Sequence, residues 1–132
     1  MRKLFYPAVF HEAEEGGFWI TFPDFKGIFT QADTMDEAYE MSKDALGLEI
    51  ADLQEQGSEL PVASNPSRIH VKKGESIVII EFDLLDYLQR HDSRAIKKTL
   101  TIPNWLNKLA VAKGLNFSSI LQQALMKEMN IL

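Results

Sequence analysis

Apolar and polar residues follow one another along the chain in patterns that predict a small antiparallel sheet. A nearly continuous apolar run over residues 4–10 predicts a strand buried on much of both faces, with Pro7 keeping it at an edge or forcing a bulge. Short apolar runs over residues 18–22 and 28–31 are separated by tight turns and predict an antiparallel meander. The β-branched run over residues 76–82 predicts a fourth strand, central in the sheet or well covered.

A wide apolar stripe at helical spacing follows the third strand and predicts a helix of about five turns. Thr34 and Glu37 have the spacing of a capping box at its start, and Gly57 is expected to end it. Asp83 can cap a further short helix after the fourth strand. The first part of the chain is therefore predicted to be β-β-β-α-β with a short closing helix.

A different pattern begins near residue 96. Polar and apolar residues alternate over residues 96–102, which predicts a strand with one polar and one apolar face, although Lys98 interrupts the apolar row. Pro103 suits the first position of a helix, and Gly114 is a natural left-handed stop at its end. Asn116 suits the N-cap of a second helix.

The order strand, helix, glycine, helix looks like a ribbon-helix-helix DNA-binding module, and an ordinary helical hairpin ending a larger domain is the alternative. So short a module buries little apolar surface, and a single strand leaves its backbone groups unpaired. Both needs are met if two chains pair their strands antiparallel about a two-fold axis. The resulting ribbon suits the major groove of DNA, with Lys97, Thr99 and Thr101 facing the bases.

The second helix of this module is expected to bind a backbone phosphate. The amide groups at the start of a helix point outward and carry partial positive charge, so they attract anions. The residues at this position are Asn116, Phe117 and Ser118.

The charge of the chain divides near the start of the module. The whole chain carries a formal net charge of −5. Residues 1–90 hold 8 Lys or Arg and 17 Asp or Glu, whereas residues 91–132 hold 6 and 2. We expect the acidic part to bind a basic partner and the basic part an anionic one. Chance segregation of solvated surface charge is the alternative.

Composition and spacing argue against several chemistries. The chain has no cysteine, which excludes disulfides and thiolate metal sites. His11, His70 and His91 are isolated from one another, and the first strand lacks the carboxylates that a two-metal nuclease site needs. We therefore expect no metal, no cofactor and no catalytic residue. The N-terminus lacks the apolar run of a signal peptide or membrane span, so a cytoplasmic protein is expected.

Several segments in a fixed order resemble the HicB family of antitoxins. They are residues 6–10, the acidic Gly-Gly turn, residues 18–24, Gly27 and residues 34–38. The resemblance covers residues 4 to about 64, and the C-terminal module extends it to the whole chain. Family members often have a second proline and a cysteine around the turn at residues 25–28, where this chain has Lys26 and Ile28.

The resemblance implies an α+β fold in two domains. A partial ribonuclease-H-like domain occupies residues 1–90, a hinge residues 91–95, and a ribbon-helix-helix domain for DNA binding and dimerisation residues 96–132. It also implies a partner, a small basic HicA-type toxin that cleaves messenger RNA. HicB binds and masks this toxin, and the pair represses its own operon.

We accordingly predict a non-enzymatic antitoxin that acts as a homodimer, with assembly beyond the dimer left open. Charge complementarity favours toxin binding by the acidic domain. The candidate contacts there are Glu12, Trp19, Asp24 and Phe25. For Trp19, packing between strands is the alternative. Two other functions stay open: a metal-dependent nuclease of ribonuclease-H type, and a stand-alone ribbon-helix-helix regulator without a toxin.

Overall fold

The computed structural model describes residues 3–131, which form two units, one up to His91 and one from Asp92 onward. The strands of the first unit are β1 (Lys3–Glu12), β2 (Phe18–Phe22), β3 (Phe25–Ala32) and β4 (Glu75–Asp83). Its helices are α1 (Met35–Glu55) and α2 (Leu84–His91), with a 3-10 turn at Pro66–Arg68. The helices of the second unit are α3 (Asn104–Ala112) and α4 (Phe117–Glu128).

The four strands form one antiparallel sheet in the order β3-β2-β1-β4. The predicted β-β-β-α-β order with a short closing helix is confirmed. Because β4 runs antiparallel to β1, the chain must travel back along the sheet after α1. The long stretch over residues 57–74, called the return segment below, makes this connection.

The sheet corrects two strand predictions, since β1 is not an edge strand but lies between β2 and β4, and its pairing with β4 is regular at Pro7. The fourth strand is neither central nor covered on both faces, because β4 lies at the edge of the sheet and Ile79 is exposed. Pro7 pairs in regular register with Ile79, whereas β2 pairs with β1 only over residues 9–12. At Pro7 the strand thus has a paired neighbour on one side only, so a residue without N–H is tolerated there. The bulge in the sheet falls between Thr21 and Phe22 instead.

The core lies between one face of the sheet and α1. Successive side chains of a strand point to opposite faces, so every second residue of β1, β2 and β4 faces the helix. The largest fully buried aliphatic and aromatic side chains are Phe10, Ile20, Leu46, Ile50 and Ile80. Burial of each contributes about 1.5–3 kcal/mol relative to exposure, which makes this layer the main source of stability in the unit.

The predicted start and end of α1 are confirmed. Thr34 is the N-cap and its Oγ1 accepts a hydrogen bond from the Glu37 amide at 3.2 Å. Gly57 follows the helix with φ of 72°, and the Ser58 amide donates to the Leu53 carbonyl at 2.9 Å. A left-handed residue at this place is the usual device for ending a helix. The Asp83 cap of α2 is confirmed as well, since its Oδ1 accepts from the Asp86 amide at 3.0 Å.

In the second unit the helix boundaries follow the sequence closely. Pro103 is the N-cap of α3 rather than its first helical residue, a correction of one position. Gly114 has φ of 68° after the helix, as predicted. Residues 92–103 are neither helix nor strand in the single chain. A strand needs a partner for its backbone groups, so the paired strand over residues 96–102 stays a prediction.

Candidate protein and DNA interfaces

The sheet face turned away from α1, called the outer face below, carries the second set of alternating side chains. Its members on the four strands include Phe5, Pro7, Val9, His11, Trp19, Thr21, Phe29, Ile77 and Ile79. Four large apolar residues of this set are exposed, with Phe29 at 63% and Trp19 at 37%. Large apolar side chains exposed on one face of a soluble protein can mark a binding surface, so the outer face is a candidate interface.

An aromatic stack stands at one end of the outer face. The rings of His11 and Trp19 lie 3.5 Å apart between centroids and are parallel to within 5°. His11 Nδ1 lies 2.8 Å from the Glu75 carboxylate, and His11 Nε2 lies 3.0 Å from Thr21 Oγ1. The Phe29 ring continues the stack, 5.9 Å from that of Trp19. Both ring nitrogens of His11 are therefore held, and the fixed imidazole supports the exposed indole.

Glu75 supports this stack as a charged group. One of its oxygens accepts a hydrogen bond from the Lys72 amide at 2.8 Å, and the other faces His11. The hydrogen bond from the Lys72 amide is the main influence on the pKa of Glu75 and lowers it; desolvation opposes this to a smaller extent, and the proximity of His11 adds to the lowering. The carboxylate is consequently ionised at neutral pH and fixes the position of the imidazole.

The four predicted toxin contacts do not come together on one surface. Trp19 lies on the outer face, and Glu12 is exposed at the end of β1. Phe25 is only 4% exposed and packs edge-on against Tyr6 at 4.7 Å, so its prediction as an exposed aromatic contact is wrong. The exposed ring of β3 is Phe29, which sequence reasoning missed. The sequence could have placed Phe29 on the same face as Trp19 only if the register between β2 and β3 had been known.

Asp24 has a structural partner in the return segment. Its two carboxylate oxygens accept from the Ser64 amide at 2.9 Å and from the Ser64 hydroxyl at 2.5 Å. Nearby, the Tyr6 hydroxyl donates to the Pro61 carbonyl at 2.6 Å. Burial and then the Asp24 charge raise the pKa of Tyr6 above its usual value, which keeps the phenol a donor. These bonds hold the return segment against the sheet.

The solvent side of α1 is a second exposed surface of the first unit. It carries the exposed carboxylates Asp36, Glu37, Glu40, Asp44, Asp52 and Glu55. Three large apolar side chains of α1, Met35, Met41 and Leu48, are also exposed, and Leu48 is 68% exposed. This surface is acidic and partly apolar, and no aromatic ring lies among these exposed side chains.

The second unit has no core of its own. None of residues 92–131 is buried, and many of their large apolar side chains are exposed. These include Ile96, Leu100, Ile102, Trp105, Leu106, Leu109, Ile120 and Leu125. Helices of this length depend on packing for their stability. The exposed apolar side chains are therefore available for packing by another polypeptide.

The predicted DNA contacts are all on the surface of the second unit. Lys97, Thr99 and Thr101 are exposed in the extended segment before α3. Asn116 is the N-cap of α4, and its Oδ1 accepts from the Ser119 amide at 3.0 Å, which confirms the cap. The remaining two, Phe117 and Ser118, occupy the exposed first turn. Their roles in binding DNA stay predictions.

Within residues 3–131, no three His, Cys, Asp or Glu side chains are grouped so that they could hold a metal ion. None of the helices in this described part of the chain has the length and apolar character to cross a membrane. What the structure offers is an acidic α+β unit with an exposed aromatic sheet face, followed by a two-helix unit whose apolar side chains lack a core. This is the organisation of a two-part binding protein.

The family follows from comparison with known proteins. A family model described as the HicB-like antitoxin of bacterial toxin–antitoxin systems matches residues 6–124, which include most of both units. The chain therefore belongs to the HicB-like antitoxin family, whose members are antitoxins rather than enzymes. The resemblance to HicB antitoxins in the sequence is thus confirmed.

Individual relatives agree with this assignment. Antitoxin HicB 1 of Photorhabdus laumondii is 44% identical over 46 residues, which span 35% of this chain and 30% of that protein. A chain of a toxin–antitoxin complex from Streptococcus pneumoniae is 30% identical, with a TM-score of 0.62 over 96% of this chain and 99% of that one. A chain of the HicA3 and HicB3 toxin–antitoxin complex is 26% identical, with a TM-score of 0.51 over 61% and 99%.

Proposed function

We propose that this antitoxin binds and neutralises a HicA-type toxin through its first unit, and that a dimer binds operator DNA through the second unit and represses its own operon. The observation that carries the proposal is the family match over residues 6–124. Two similar solved chains come from toxin–antitoxin complexes, one of them of HicA3 with HicB3. Masking a toxin requires a complementary surface and no chemistry by the antitoxin.

Charge supports the division of labour between the units. The excess of 17 acidic over 8 basic residues in residues 1–90 suits a basic, RNA-binding toxin. Opposite charge raises the association rate and disfavours anionic competitors. The excess of 6 basic over 2 acidic residues in residues 91–132 suits DNA instead. A single chain with both functions would need this separation, because the acidic unit repels phosphate.

The missing core of the second unit supports dimerisation. If two chains pair residues 96–102 as an antiparallel ribbon, the backbone groups of both segments gain partners. The apolar row of Ile96, Leu100 and Ile102 then turns towards the helices of both chains. The opposite row presents two copies of Lys97, Thr99 and Thr101, at a width that fits the major groove. Dimerisation thus both completes the fold and builds the DNA-reading surface.

Substitution of Lys97 tests the DNA half of the proposal. We expect Lys97→Ala and Thr99→Ala to weaken binding to the upstream region of the gene and to leave toxin neutralisation intact. If Lys97 reads a guanine, its loss weakens DNA binding by about 1–3 kcal/mol and relaxes specificity for that base pair. If Lys97 binds a phosphate, the slope of log binding constant against log salt concentration falls in magnitude by about 1. Fluorescence anisotropy over a series of salt concentrations separates the two.

Lys73→Ala, an exposed lysine of the first unit, is the matched control and should leave operator affinity unchanged. The toxin is expected to be encoded by a short reading frame adjacent to this gene. Toxin neutralisation is read in parallel as growth during co-expression with its product. The proposal fails if Lys97→Ala and Thr99→Ala both lose toxin neutralisation while their affinity for the operator stays at the wild-type level. The toxin half fails if purified antitoxin forms no complex with that product.

A further inference from the structure

We infer that the outer face of the sheet is the surface that receives the toxin, with Trp19 and Phe29 as its anchors. The inference rests on the proposed antitoxin function and adds the site and the chemistry of the partner surface. The partner is a cationic protein surface that covers exposed aromatic rings. Both anchors lie on neighbouring strands, so a single approaching surface can reach them together.

The Trp19 side chain is ordered before any partner arrives. Its indole is stacked on His11 at 3.5 Å, and His11 is held by Glu75 on one nitrogen and Thr21 on the other. An anchor that is already fixed loses little conformational entropy on binding, which favours affinity. Tryptophan is also among the residues most enriched at energetic hot spots. The stack therefore has the properties of a pre-organised contact.

Three carboxylates line the β4 edge of the outer face. Glu75, Glu81 and Asp83 share the outward-facing register of β4; Glu75 lies beside the aromatic stack, and Glu81 is 2.7 Å from Lys3 at the other end of the strand. An apolar centre with a charged rim is the usual anatomy of a protein interface. The negative rim selects a basic partner and repels the phosphates of a nucleic acid. It also disfavours a second copy of this unit, because its own carboxylates would approach the same face.

The solvent side of α1 is the competing surface, and the outer face is the better match. Met41 and Leu48 on α1 are surrounded by carboxylates and have no stacked or hydrogen-bonded neighbour that fixes them among the contacts of the described residues. The outer face combines two exposed rings with a rigid support. Pro7 and Val9, at the centre of this face, are buried, so the exposed anchors of the outer face are its rings on β2 and β3.

The test measures binding of full-length variants to the purified product of the adjacent short reading frame, carrying a substitution that abolishes its RNA cleavage. We expect Phe29→Ala to bind at least about tenfold more weakly, as expected for a hot-spot side chain. Because Phe29 is 63% exposed, the midpoint of thermal unfolding of Phe29→Ala should stay near the wild-type value. Leu48→Ala, a similarly exposed apolar residue at 68%, is the matched control and should bind with unchanged affinity.

A second measurement observes Trp19 directly and leaves its side chain in place. The chain has two tryptophans, so Trp105→Phe leaves Trp19 as the single site for 5-fluorotryptophan. We expect the ¹⁹F resonance of Trp19 to shift when the toxin product is added. The same label also reports a change of environment if the full-length protein associates with itself at high concentration.

Each outcome has a distinct meaning. If the wild type binds and Phe29→Ala binds equally well, or the Trp19 resonance does not move, the inference is overturned and the antitoxin function stands. Loss of binding in Leu48→Ala alone assigns the toxin to α1 and also overturns it. If Phe29→Ala alters self-association of the protein in the absence of toxin, the outer face binds a second copy of the chain, and the inference is overturned. If the wild type itself does not bind, the proposed function fails.

Discussion

Gly47 lies within α1, where glycine normally weakens a helix by about 1 kcal/mol relative to alanine. The sequence pattern offers no reason for it. In the structure, a Cβ at this position would meet the Tyr87 ring at 2.7 Å and the Phe82 ring at 2.8 Å. These are aromatic ring edges, which cannot move aside as the end of a flexible chain can. The missing side chain thus permits the close approach of α1 to β4 and α2.

Gly47→Ala is expected to lower the free energy of unfolding by up to about 2 kcal/mol. Overpacking of a filled core costs about 1–3 kcal/mol, and the better helix propensity of alanine offsets about 1 kcal/mol of this. Urea unfolding measures the change. Gly27→Ala is the control, because Gly27 has an ordinary φ and nothing within 4 Å of an added Cβ. Equal midpoints for the two variants would contradict the packing argument.

The elements of this chain are bounded by capping residues that act over a few positions. Thr34, Asp83 and Asn116 each accept a hydrogen bond from the amide of the third residue of the following helix. Gly57 and Gly114 end the helices before them. Such bonds satisfy amides that have no partner inside the helix. Local sequence therefore contains enough information to place these boundaries.

Asn116→Ala is expected to lower the stability of α4 by about 0.5–2 kcal/mol, because the Ser119 amide loses its acceptor. Thermal unfolding followed by circular dichroism at a fixed protein concentration measures the loss. Gln123→Ala, at an exposed position inside the same helix, should change stability by less than about 0.5 kcal/mol. An unchanged midpoint for Asn116→Ala would show that the cap contributes nothing to the stability of α4.

The whole molecule joins a unit with a core to a unit without one. The first unit has a closed layer between its sheet and α1, whereas none of residues 92–131 is buried in the single chain. We therefore expect the second unit to depend on association for its stability, and the first to be stable without it. By mass action, the stability of a unit that folds only in a dimer rises with protein concentration.

We expect two unfolding transitions, of which only that of the second unit depends on concentration. Trp105 is the tryptophan of the second unit and Trp19 that of the first, so fluorescence of Trp19→Phe and Trp105→Phe variants reports each unit separately. A chain cut after residue 91 should keep the first transition and toxin binding and should lose operator binding. A full-length protein that is monomeric at micromolar concentration would contradict the paired-strand proposal.

The comparison between pattern and structure shows where sequence information ends. Phe25 and Phe29 both looked like residues of the third strand or its turn, yet Phe25 is in the core and Phe29 is exposed. The register of β3 against β2 shifts by an odd number of residues between Thr21 and Phe22, and an odd shift exchanges the two faces of a strand. The apolar run of β4 likewise cannot reveal that this strand lies at the edge.

By itself, the sequence determined the order of the elements, their caps, the division of charge and the family. All of these depend on residues that are close in the chain or on composition. Only the tertiary structure decided which aromatic rings are exposed, and that His11, Trp19 and Glu75 meet on the outer face. Those contacts depend on which strands pair and in which register, and pairing joins residues that are distant in the chain. Local preference therefore cannot specify them.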